Sequence, residues 1–165
     1  MKTGFIIISI AALTAIGADA PIPSAEAVAK TYAKTLTRLT EKPKAVGPEF
    51  ATMCDDRPAV AKYGPHVHAD VHHYRNESAK APKGNFLPGS VLVKEKIERD
   101  GSAVAPVVLL VTGMIKQPAG TSPKTGDWLF FVGRDGKVET ATMEGCAGCH
   151  SGAKRDYVFT DVPKR

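Results

Sequence analysis

Only three of the 165 residues are cysteine, too few for a disulfide-stapled secreted scaffold, and the odd count leaves at least one without an internal partner. Aromatic residues are sparse at 7%, yet 43% apolar and 24% charged residues match an ordinary globular domain and exclude a disordered chain. Collagen-like, mucin-like and coiled-coil compositions are likewise absent. The net charge of +5 comes without a cluster of Lys and Arg, so nucleic-acid binding is not indicated. No internal repeat or low-complexity segment is visible. A chain of this length buries about two-thirds of its surface on folding and needs no staples. One domain is the expectation.

Long apolar runs are missing except at the start. Lys2 precedes an apolar stretch over residues 5–16, interrupted only by Ser9 and Thr14. About a dozen residues is short of the roughly 20 that span a bilayer. Ala18-Asp19-Ala20 has the A-x-A form of a cleavage site. Residues 1–20 therefore read as a secretory signal, with an uncleaved anchor as the alternative, and residues 21–165 as the exported domain. No membrane span is expected after signal removal, and the periplasm is the expected compartment, a place where thiols can oxidise.

Ser24 can cap a helix with the apolar stripe Val28, Tyr32, Leu36 and Leu39, which Pro43 would end. Residues 43–65 read as irregular. From Pro65 the period becomes two: Val67, Ala69 and Val71 alternate with His66, His68, Asp70 and His72. A capped turn at 76–80 follows, then strands over 90–98, 104–116, 127–132 and 137–142, with Asp100-Gly101 and Asp135-Gly136 as turn signals. The fold class expected is α+β, mainly antiparallel sheet with flanking helices, carrying a C-terminal c-type haem attachment.

That last expectation rests on Cys146-Ala147-Gly148-Cys149-His150. Two thiols at this spacing can each add to a haem vinyl group, and the adjacent histidine reaches the iron. A redox dithiol and a zinc knuckle are the rivals; export and His150 favour haem over the first, and the lack of a second ligand pair disfavours the second. Only 15 residues follow His150, none of them Met or His. A sixth ligand must come from upstream, or the iron has an open position where small molecules bind.

Beyond this motif, the chain resembles the cytochrome P-460 family, with the related cytochromes c′-beta. The pieces that carry the resemblance are His72-His73-Tyr74-Arg75-Asn76, Pro88-Gly89-Ser90-Val91-Leu92-Val93-Lys94-Glu95, Gly113-Met114-Ile115-Lys116, Gly126-Asp127-Trp128, the haem motif, and Asp156-Tyr157-Val158-Phe159. The resemblance implies one covalently attached haem c with Cys146 and Cys149 as anchors and His150 as proximal metal ligand, in a sheet-rich homodimer. In the hydroxylamine-oxidising members a strand lysine is bonded to the haem ring; here that position is Lys94. Those members oxidise hydroxylamine towards nitric and nitrous oxide, whereas the c′-beta members lack the link and bind nitric oxide. The oxidising members also carry a distal carboxylate where counting back from Lys116 gives Thr112, a hydroxyl that hydrogen-bonds but is no base near neutral pH.

The function expected is redox chemistry on small nitrogen species by a haem oxidoreductase, with Lys94 and Thr112 as the catalytic candidates. A redox-partner cytochrome would exchange electrons with it. The alternatives are a non-catalytic nitric oxide-binding protein and a six-coordinate electron-transfer cytochrome. For the latter, His66, His68, His72, Met53 and Met114 are the candidate sixth ligands. The three histidines could instead share a zinc or copper site. Cys54 reads as a buried free thiol or an intersubunit disulfide, and Asp156 as a residue that orients the segment after the haem motif or hydrogen-bonds near it.

Overall fold

A computed structural model describes residues 21–39, 44–45, 69–80, 84–98, 108–140 and 143–159. The signal segment, Met53, Cys54, His66 and His68 lie outside the described residues.

The middle of the chain forms one antiparallel sheet. Strands β3 (Ala69–Arg75), β4 (Val91–Glu98), β5 (Val108–Lys116), β6 (Trp128–Arg134) and β7 (Lys137–Thr140) lie side by side in sequence order. Two short strands, β1 (Thr37–Arg38) and β2 (Lys44–Ala45), both pair with the outer side of β3. Asp135-Gly136 makes the β6–β7 turn as expected, with both residues at positive φ. Asn76 closes the capped turn after β3: its side-chain oxygen accepts from the backbone N–H of Ala79 at 3.1 Å and of Val91 at 3.0 Å, tying that turn to the start of β4.

Helix α1 (Ala25–Thr35) is capped by Ser24, whose hydroxyl accepts from the Ala27 N–H. It is shorter than its apolar stripe predicts. Thr31 and Thr35 turn their hydroxyls back onto helix carbonyls, and Leu36 is already extended. Leu39 then donates its backbone N–H to the His73 carbonyl at 2.8 Å, so pairing to the sheet edge takes over from the helix. Helix α2 (Met143–His150) holds the Cys-x-x-Cys-His motif.

Strand alternation gives the sheet two apolar faces, one for each helix. Val91, Val93, Val111, Ile115, Tyr74 and Phe131 form a core with Val28 and Tyr32 of α1. On the other face Met114, Trp128 and Phe130 pack with Ala147 of α2, Phe86 and Val158. Gly113 is required on the first face, because a Cβ there would lie 2.2 Å from the Phe131 ring. Among the described residues, no helix is long and apolar enough to cross a membrane.

Candidate functional site

Register places the candidate residues on a common face. Met114 pairs with Leu92 on one side and Phe130 on the other, which puts this row beneath α2. Two residues along, the next row on that face runs His73, Lys94, Thr112, Val132, Glu139 across five strands. Lys94 and Thr112 are therefore direct cross-strand partners, on the face that carries Cys146, Cys149 and His150. Both are half-buried.

Cys146 and Cys149 are free thiols, three residues apart in α2 and so one helical turn from each other. Cys146 packs against the Met114–Trp128–Phe130 cluster. Ala147 is buried in the same cluster while Gly148 is exposed, so the small size of Ala147 serves the seating of α2 on the sheet.

His150 is held from three directions. Its ring lies 5.2 Å from Phe130 and 5.5 Å from Phe159, centroid to centroid. Its Nδ1 is 2.7 Å from the Tyr157 carbonyl oxygen. A carbonyl only accepts, so Nδ1 carries the proton and Nε2 keeps the lone pair that a metal needs. Burial lowers the His150 pKa and the Lys94 ammonium lowers it further, against the opposing effect of the Tyr157 hydrogen bond. A neutral imidazole with its second nitrogen hydrogen-bonded is the form in which histidine ligates metals. Two reduced thiols one turn apart, a histidine in this state and an apolar sheet face beside them fit a covalently held haem.

Several anchoring residues carry no signal in periodicity or composition. The Lys116 ammonium is 2.7 Å and 2.9 Å from the two carboxylate oxygens of Asp156, and it also donates to the Gly126 carbonyl at 2.7 Å. The side chains of this pair are 9% and 4% exposed. Asp156 also accepts from the Phe86 N–H at 2.7 Å, and its backbone carbonyl accepts from the Trp128 indole at 2.9 Å. Of the sequence clues, only the resemblance pieces marked these positions. His73 beside Lys94 and Glu139 two strands from Thr112 emerge from register alone.

The candidate sixth ligands fare differently. His72 pairs with Glu95 on the α1 side of the sheet, facing away from α2. Met114 is buried beneath α2 in the hydrophobic cluster. Among the described residues, no group of three or more His, Cys, Asp or Glu is placed to hold a metal ion.

A family model described as Cytochrome P460 matches residues 60–160, more than half of the chain and all of its described strands from β3 onward. No curated protein matches it.

Proposed function

The chain belongs to the cytochrome P460 family, and from that premise we propose that it is an exported mono-haem c-type protein performing redox chemistry on small nitrogen species, with hydroxylamine oxidation towards nitric and nitrous oxide as the reaction. The observation that carries the reading is the shared sheet face of Lys94, Thr112 and the α2 motif. Cys146 and Cys149 would hold the haem through thioethers, His150 would ligate the iron through Nε2, and Lys94 would be joined to the ring. The haem supplies an electron acceptor for the nitrogen substrate when bound.

The chain's own groups have distinct tasks. His150 stays neutral because burial disfavours its second proton. Phe130 and Phe159 keep apolar surface beside its ring. The Thr112 hydroxyl, neighbouring Lys94, can hydrogen-bond an N–O group but cannot take the protons that oxidation releases. Glu139, the acid on the same row, is exposed and separated from Thr112 by Val132, so released protons reach water directly or at that edge. Export to the periplasm, a homodimer and a redox-partner cytochrome complete the proposal.

Thr112 favours a second reading as well. With a hydroxyl rather than a carboxylate at position 112, a protein that binds nitric oxide and does not turn it over is the alternative. Turnover by the holoprotein, followed as hydroxylamine-dependent reduction of an acceptor dye, distinguishes the two. Hydroxylamine oxidation that Lys94→Arg abolishes is the expected result. Activity and spectrum that survive Lys94→Arg overturn the role of Lys94, and nitric oxide binding without turnover selects the second reading.

A further inference from the structure

The segment after the haem motif is held in a conformation that the chain would not adopt unaided. Asp156 and Tyr157 have φ of 40° and 64°, two consecutive non-glycine residues in the left-handed region. Such residues cost on the order of 1–3 kcal/mol each and persist where the surroundings over-determine them. Here the surroundings are explicit. The Asp156 carboxylate is fixed by Lys116 and the Phe86 N–H, and its carbonyl by Trp128. The Tyr157 ring lies against Gly126, where a Cβ would come within 2.5 Å of it. Gly126 in turn accepts from Lys116, which closes the loop of contacts.

The strained pair delivers one group to the site: the Tyr157 carbonyl, 2.7 Å from Nδ1 of His150. We propose that Asp156 is a positioning residue for the axial histidine, its carboxylate locked to Lys116 so that the Tyr157 carbonyl fixes the tautomer and orientation of the His150 ring. A buried ion pair is weak support for stability as such, since burial costs about what the pairing returns. Its value here is directional. A hydrogen bond to the second nitrogen raises the basicity of a ligating imidazole, which strengthens the iron–histidine bond and lowers the reduction potential. This inference rests on the haem reading above.

The test uses the ferrous holoprotein, with the iron–histidine stretching band read by resonance Raman and the reduction potential read by titration. Asp156→Asn removes the charge that holds Lys116, and Trp128→Phe removes the indole bonds to the Asp156 carbonyl, at 2.9 Å, and carboxylate, at 3.3 Å, while leaving Lys116 in place. Val28→Ala loosens the α1 side of the sheet and serves as the control for lost stability alone. The expected result is a stretching band moved to lower frequency and a raised potential in both site variants, more in Asp156→Asn, with Val28→Ala unmoved. An unchanged band in either folded site variant overturns the proposal, as does an equal shift in Val28→Ala. Where Asp156→Asn fails to mature, Trp128→Phe decides. Intact mass of the unmutated protein tests the haem reading separately: absence of covalent haem fails that reading and removes the premise of this one.

Discussion

Gly126 sits at φ 60° with the Tyr157 ring where a methyl group would go. Gly126→Ala therefore meets both backbone strain and a clash, and a loss of about 1–3 kcal/mol in denaturant unfolding is expected. A second residue-level test concerns the α1 side of the sheet. Tyr32 and Tyr74 both donate to the buried Glu95 carboxylate, at 2.5 Å and 3.0 Å. Burial, then the bond to Glu95, push the Tyr74 phenol from 10.0 up to about 12, with Arg38 opposing. Tyr32 moves further in the same direction for the same reasons. Between pH 10 and 12 the folded chain thus keeps a proton that the unfolded chain has lost. The corresponding stability is fully present below pH 10 and disappears as pH rises through 12. Unfolding measured across that window should show a falling free energy, and Tyr74→Phe should make the fall shallower.

At the scale of elements, turn and cap chemistry was the most readable. Asn76, Asp135-Gly136 and Ser24 act locally, through bonds to residues a few positions away, so their sequence neighbourhoods suffice. Strand β6 was legible as a strand over 127–132, and packing divides its aromatic residues: Trp128 and Phe130 face α2, and Phe131 faces α1. The end of α1 was not, because it is set by pairing with β3, nearly 40 residues on. Nor was the Lys116–Asp156 contact, whose partners lie 40 residues apart in the sequence. Register explains what the sequence left open about Lys94. Its face looks less apolar than that of Val91 and Val93, yet it is the face that α2 covers. The closeness of strands β5 and β6 can be tested at Gly113. Gly113→Ala puts a methyl group into the Phe131 ring and against the Leu92 carbonyl, and should destabilise by about 1–3 kcal/mol in the same unfolding experiment.

For the whole molecule, a sheet with two apolar faces gives the described residues two cores, one on each side. Helix α1 closes one face, and α2 with the following segment closes the other and brings the Cys-x-x-Cys-His motif with it. The proposed export is tested at this scale too, since thioether attachment and cleavage after Ala20 should occur together. Intact mass of the protein purified from a periplasm should equal residues 21–165 plus one haem; retention of residues 1–20 would point to the uncleaved anchor. The central claim is that Lys94 works on a haem held by Cys146, Cys149 and His150. Its most direct test is the absorption spectrum of the ferrous protein. A Soret band far to the red of an ordinary c-type haem is the expected result, marking a ring altered by its bond to Lys94. An ordinary five-coordinate c-type spectrum would contradict that bond.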